Sequence, residues 1–227
     1  AGQYTVTPEG FTLHRPPLKF ELTIKNVINP EGNTSLDGLY KAGKMFCTQN
    51  EPEGLRRMTY FLDRPDIMAS FTTKIIDDKT AYPILLSNGN PTCSGELSGG
   101  RHFVEWHDPF PKPCYLYALV AGDLGMIQDY FTTRSGRKIE LRIYCDKGVE
   151  SRCHHAMESL KKSMKWDEDV FGLEYDLDLF MIVAVGVGNM GAMENKGLNI
   201  FNSALVLADP KTATVDDFHA ILGVIGH

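Results

Sequence analysis

From Leu18 to about Thr133 the chain alternates short β-prone runs with turn signals. Lys19-Phe20-Glu21-Leu22-Thr23-Ile24 alternates with period two and reads as a strand. Phe71 to Ile76 and Ile84 to Leu86 are further short runs, the second closed by the turn Ser87-Asn88-Gly89-Asn90. Glu96-Leu97 and Phe103 to Trp106 flank Ser98-Gly99-Gly100-Arg101, the pattern of a hairpin. Pro109, Pro111 and Pro113 read as a rigid elbow before an apolar strand, Tyr115 to Ala121. Strands spaced this way predict an open antiparallel β-sandwich.

The texture changes around Ala121-Gly122-Asp123. Two more strands are predicted, Ile127 to Thr132 and Lys138 to Cys145. A helix follows over Ser151 to Phe171, with Ala156, Met157, Leu160, Met164 and Phe171 at helical spacing. Leu179 to Val185 is unbroken apolar, as in a strand of a buried sheet. The expected division is therefore 1–122, a β-sandwich domain, and 123–227, an α+β part, in a chain that is mostly β. No internal repeat or low-complexity segment interrupts it.

The last element is a helix. Thr214-Val215-Asp216-Asp217 fits a capping box, and Phe218, Ile221, Leu222 and Ile225 follow at i, i+3, i+4 and i+7. At about 100° per residue His227 falls opposite that stripe, beside Ala220, Gly223 and Val224. Small apolar neighbours on the second face predict a helix covered on both sides. His227 then suits a metal ligand in a cleft, or a histidine hydrogen-bonded in a domain interface.

Composition excludes little but does exclude something. Hydrophobic residues make up 43%, charged residues 23%, and the net charge is -6, without a Lys/Arg block. A nucleic-acid partner is therefore not expected. No run approaches the length a membrane helix needs, so no membrane partner is expected either. Cys47, Cys93, Cys114, Cys145 and Cys153 are an odd, scattered set without a CxxC pair, which points to a reducing, cytoplasmic compartment. Ala1-Gly2-Gln3 looks like a cut edge, and Val224-Ile225-Gly226-His227 halts a helical pattern without a Gly/Pro stop, so both ends read as truncations.

Residues 186–199 read Gly-Val-Gly-Asn-Met-Gly-Ala-Met-Glu-Asn-Lys-Gly-Leu-Asn. On residue types alone this is a permissive, Gly-rich segment after a buried strand, with one carboxylate, Glu194, in its middle. A loop joining two strands with Glu194 solvated accounts for it. Neither phosphate-loop spacing is present. Gln49-Asn50-Glu51-Pro52-Glu53 likewise reads as an exposed polar turn.

Gly191-Ala192-Met193-Glu194-Asn195 is the GAMEN motif, and on it the chain resembles the zinc aminopeptidases of the aminopeptidase N family, in their bacterial branch. Further similar stretches are Phe46 to Gln49, Tyr60 to Pro65, Lys165 to Glu168, Phe171 to Asp176, Lys196 to Asn199 and Val224 to His227. The resemblance implies a zinc-dependent exopeptidase that removes N-terminal amino acids from peptides. It also makes 123–227 the start of a thermolysin-like catalytic domain. Glu194 and Glu51 would be carboxylates that hold the substrate's α-amine, with Gln49 beside them. Met190 would line the pocket for the first side chain, and the backbone of Gly191, Ala192, Met193, Glu194 and Asn195 would pair with the substrate as a short β-like partner. Gly186-Val187-Gly188 stands where relatives carry bulkier residues, which bears on pocket shape. His227 would be the first zinc ligand, the opening letter of His-Glu-x-x-His. The general base, the other ligands and the oxyanion-stabilising tyrosine would lie past residue 227. No catalytic residue is therefore expected within the chain, which by itself should be inactive and hold no zinc.

Other candidates are poorer. His154-His155 are adjacent in a helix, point about 100° apart and read as surface; His102 and His107 sit on opposite faces of a strand. Glu174, Asp176 and Asp178 lack the pattern of a calcium loop and read as a solvated approach to a strand. The expected partners are peptides with a free N-terminus, and the expected state is a monomer. Two alternatives stay open: a non-catalytic module that binds peptide N-termini, and an altered-chemistry relative in the same family.

Overall fold

The computed structural model describes residues 3–227, so the Ala1-Gly2 edge singled out above lies outside the described residues. In chain order the elements are β1 (Tyr4–Thr7), β2 (Gly10–Leu13), β3 (Gly38–Ala42), β4 (Met45–Gln49), β5 (Met68–Asp78), β6 (Ile84–Ser87), β7 (Asn90–Glu96), β8 (Arg101–Pro113) and β9 (Leu119–Gly122). Then come β10 (Leu124–Thr132), β11 (Lys138–Asp146), α1 (His154–Val170), β12 (Leu179–Val185), β13 (Ala192–Met193), β14 (Leu198–Asn202) and α2 (Val215–Ile225). The chain is mostly β with an α+β C-terminal part.

β1 and β2 form an isolated hairpin. Two antiparallel sheets follow, ordered β3-β4-β9-β6 and β5-β8-β7. The indole of Trp106 on β8 donates to Leu85 O on β6 at 3.1 Å and so ties one sheet to the other. The turn between β6 and β7 needs a glycine. Gly89 has φ +88°, and a Cβ there would lie 2.1 Å from His107 O.

Only Asp123 separates the last strand of the sandwich from β10, which opens a mixed sheet ordered β10-β11-β12-β14-β13. Its central strand β12 runs parallel to both neighbours. That is the setting its unbroken apolar run calls for, because both of its faces are covered. Leu179, Met181, Val183 and Val185 join a core shared with Tyr40, Met45, Cys47 and Val120 of the sandwich. Ile182 and Ala184 point the other way, into a core with Ala156, Met157, Leu160 and Met164 of α1 and Ile221 and Ile225 of α2. One sheet thus packs against strands on one side and helices on the other. Each fully buried aliphatic side chain contributes about 1.5–3 kcal/mol to holding it there.

Several sequence expectations fail locally. Lys19 to Ile24 forms no strand, and Leu18, Phe20 and Leu22 are exposed; alternation alone makes no ladder where, among the described residues, no strand pairs with the segment. The prolines make no elbow, since β8 runs through all three and pairs with β5 as far as Pro113. Pro109 and Pro111 fall where the pairing with β5 is irregular, between Asp108 and Lys112, and β7 stops pairing at His107, so neither neighbouring strand calls on their missing N–H groups. Residues 114–116 form a 3-10 turn, so the strand predicted from Tyr115 begins at Leu119. α1 starts at His154 after a 3-10 turn, and Phe171, just past its end, is exposed and packs edge-on against Trp166. α2 has its capping box, but its second face is not covered: Ala220, Gly223 and His227 are exposed, because no described element packs on that side.

Candidate functional site

The segment around Glu51 begins where β4 ends. Gln49 sits opposite Gly38 of β3, is buried, and donates its amide to Glu51 O at 3.2 Å, curling the loop back on itself. Thr48 Oγ1 accepts from Leu119 N at 3.0 Å, and Asn50 Nδ2 donates to Tyr117 O at 2.7 Å. This is no exposed turn: Thr48, Gln49 and Asn50 are all buried, and Glu51 is half-buried. Asn50 Oδ1 is the one buried side-chain oxygen or nitrogen without a hydrogen-bond partner among the described residues.

The Gly-rich segment leaves β12 and returns as β13, the edge strand of the mixed sheet. Ala192 pairs with Phe201 and Met193 with Ile200, while Gly191 O accepts from Asn202 N at 2.8 Å. Among the described residues no strand pairs with the other edge of β13, so its outer N–H and C=O groups are open to an extended chain. Met193 is fully buried, which fixes the pleat and turns the alternate residues Ala192 and Glu194 the other way. Glu194 is exposed. Neither Glu194 nor Glu51 has an ion-pair partner among the described residues, although Glu53, two residues from Glu51, is paired with Arg56. Both carboxylates are thus open to a cationic ligand.

Asn195 is buried, and Leu198 N donates to its carbonyl at 3.0 Å, closing the turn into β14. Gly197 in that turn has φ +79°, and a Cβ there would sit 2.9 Å from Leu177 Cδ1. Lys196 is held by Asp176 at 2.7 Å and lies 4.1 Å above the Phe110 ring. Upstream the segment is looser. Gly186, Val187, Gly188, Asn189 and Met190 are all exposed, and a Cβ on Gly186 would meet nothing within 4 Å. Among the described residues only two side-chain hydrogen bonds pin this stretch: Tyr40 Oη donates to Val187 O at 3.2 Å, and Asn189 Nδ2 donates to Ser35 O at 2.8 Å. Burial pushes the Tyr40 hydroxyl well above the usual tyrosine range, so it stays a donor.

His227 is exposed just past the end of α2, with its N–H on Val224 O at 3.2 Å. α2 packs on α1 and on the 3-10 turn Ser203–Leu205, whose Leu205 Cδ1 lies 3.4 Å from where a Cβ of Gly191 would be. The His-bearing helix and the edge strand therefore share a neighbour. A zinc site needs at least three protein ligands. Among the described residues no three His, Cys, Asp or Glu side chains are grouped to hold a metal ion, so His227 does not make a metal centre with them.

The other histidines are placed by packing. His155 is not free surface: its Nε2 lies 2.8 Å from Phe218 O and joins α1 to α2. His102 is buried with Nε2 2.8 Å from Tyr82 O. Glu174 accepts from Ser135 N at 2.7 Å, and Asp178 pairs with Arg137 at 3.0 Å, so these carboxylates are engaged rather than merely solvated. Sequence reasoning passed over Tyr40 and Asn189, whose side chains reach backbone carbonyls distant in the chain; no local pattern marks such contacts.

Residues 4–116 match the Peptidase M1 N-terminal domain, and residues 155–227 match the Peptidase family M1 domain. Aminopeptidase N of Haemophilus influenzae is 63% identical over 92% of this chain and 24% of its own length. Aminopeptidase N of Escherichia coli is 63% identical over 93% and 24%, and that of Caulobacter vibrioides 57% identical over 100% and 26%. Among solved structures, Legionella pneumophila aminopeptidase A in complex with aspartic acid superposes with a TM-score of 0.90 at 37% identity, covering 99% of this chain and 26% of that one. The chain spans about a quarter of the length of the relatives it matches.

Proposed function

The chain belongs to the M1 peptidase family, and we propose that it is the substrate-anchoring part of a zinc aminopeptidase that removes N-terminal residues from peptides. The observation that carries the reading is the edge strand: residues 191–195 present an open main-chain edge and an exposed, unpaired Glu194 in one place. Kinship to aminopeptidases at 57–63% identity supports it.

An exopeptidase must tell a free chain start from an internal peptide bond. The distinguishing group is the α-amine, with a pKa of about 7.7–8.0 and so mostly cationic at pH 7. Glu194 and Glu51 are the carboxylates proposed to hold it by charge-assisted hydrogen bonds, with the Gln49 side chain bracing the Glu51 carbonyl. The open edge of β13 would receive the substrate main chain whatever its sequence, while the exposed Met190 and the Gly186-Val187-Gly188 stretch would meet the first side chain. Zinc is the metal this reading implies, and His227 is the ligand proposed from this chain. One imidazole does not hold that ion, so the chain's own part in the reaction is recognition, and these 227 residues alone should not hydrolyse peptides. The proposal includes a division of the chain after Gly122, and a cytoplasmic location on the strength of its odd, scattered cysteines.

The test is hydrolysis of alanyl-anilide and N-acetyl-alanyl-anilide by a protein carrying this chain together with the remaining length its relatives possess, with and without a zinc chelator. Cleavage of the free-amine substrate alone, abolished by the chelator, is the expected result. Cleavage of neither substrate by the zinc-loaded protein would turn the reading toward a peptide-binding module or an altered chemistry.

A further inference from the structure

The two proposed anchor segments, 49–51 and 191–195, belong to different sheets and are far apart in sequence. Recognition of one amine by both requires that their separation be fixed. Side-chain amides buried between them do this. Asn50, directly before Glu51, is 1% exposed and donates to Tyr117 O at 2.7 Å. The peptide units on either side of Tyr117 are gripped by Asn88, itself 2% exposed, whose Nδ2 donates to Leu116 O at 2.9 Å and whose Oδ1 accepts from Ala118 N at 2.7 Å. The same Nδ2 donates to Lys196 O at 2.8 Å, two residues beyond Glu194. Four backbone groups are thus joined through two asparagines, from the Glu51 loop across 116–118 to the end of the anchor strand.

We infer that Asn88 is a positioning residue, which sets the Glu194 strand at its working distance from the Glu51 loop; the inference rests on the amine-anchoring reading above. The chemistry explains the residue type. The position needs two donors and one acceptor on a short, planar, uncharged group, and only an amide provides them. Aspartate is the same size but offers no donor when ionised, and alanine leaves three backbone groups without their partner, the Ala118 N–H among them fully buried. Asn88 also lies in the tight turn with Gly89, whose N sits 3.5 Å from where a Cβ of Gly197 would be, so the turns before β7 and after Asn195 are pressed together at the same point. Lys196 holds its own side of the contact through Asp176 and by lying over the Phe110 ring of β8, but the ion pair is partly exposed and neither contact reaches the 116–118 segment.

The experiment uses the zinc-loaded, full-length protein with Asn88→Asp and Asn88→Ala, and Ser87→Ala as a control. The Ser87 hydroxyl donates to Ala118 O at 2.8 Å in the same buried place and, among the described residues, makes no hydrogen bond to 194–197. The readouts are thermal midpoint, KM and kcat for alanyl-anilide, and inhibition by acetohydroxamate, a metal-directed probe without an α-amine. Positioning predicts that both Asn88 variants raise KM for the free-amine substrate by about tenfold, a loss of about 1.4 kcal/mol, with acetohydroxamate inhibition unchanged. Ser87→Ala should lower the thermal midpoint and leave KM as it was. If the Asn88 variants only lose thermal midpoint or active fraction, with KM unaltered, Asn88 merely supports the fold and the inference falls. Should Asn88→Ala not fold, the isosteric Asn88→Asp decides alone. A wild-type protein that cleaves free-amine and acetylated substrates equally would overturn the amine-anchoring reading first, and this inference with it.

Discussion

The segment from Gly186 to Asn199 is one continuous stretch with two unlike ends. From Met193 onward it is mostly buried, paired with β14 and closed by a tight turn at Gly197. From Gly186 to Met190 it is exposed and held by two side-chain hydrogen bonds. The difference matches two different demands. A charged amine is recognised by a carboxylate only at a fixed distance, so the Glu194 end has to be rigid. Under the proposed function a margin that gives way would accommodate varied first residues, and Gly186, where a Cβ would meet nothing within 4 Å, provides one.

The largest effect should come from the rigid end. Met193→Ala removes a fully buried side chain and should cost about 2–5 kcal/mol of stability, read by denaturant unfolding, whereas Met190→Ala at the exposed end should stay within about 0.5 kcal/mol. A similar cost at both positions would erase the contrast. Next is Glu194→Ala, which should weaken free-amine substrates by about 1.5–3 kcal/mol in kcat/KM while leaving the unfolding midpoint in place. An unchanged preference for free over acetylated substrates would remove Glu194 from its proposed role. Tyr40→Phe deletes the hydroxyl that reaches Val187 O and should cost about 0.5–1.5 kcal/mol, with faster hydrogen exchange confined to 186–190. The smallest effect is Gly186→Ala, where a methyl meets no neighbour; it should stabilise by about 0.4–1 kcal/mol and narrow the choice of first residue in a substrate panel.

What the sequence made legible was local. The Ser98 to Arg101 hairpin, the doubly buried run of β12 and the Thr214 capping box each follow from spacing within a dozen residues. Lys19 to Ile24 misled because a strand needs a partner, and the partner's absence is not written in the segment itself. The prolines misled for the converse reason: their effect depends on whether a neighbouring strand calls on the missing N–H groups, which is a fact about the sheet. At the candidate site the motif itself was readable. That 191–195 lies at the edge of a sheet, that Gln49 and Asn50 are buried, and that Asn88 bridges to Lys196 were not, because each depends on contacts made across tens of residues.

The account turns on Glu51 and Glu194 acting on one ammonium group. The most direct measurement is a double-mutant cycle in the full-length, zinc-loaded protein, with Glu51→Gln, Glu194→Gln and both together, scored as the ratio of kcat/KM for free-amine over acetylated substrate. Two carboxylates on one amine predict that each single change lowers the ratio and that the double change costs clearly less or more than the sum, because each carboxylate alters what the other meets. Strict additivity, or a ratio unmoved by either change, would contradict a shared amine site.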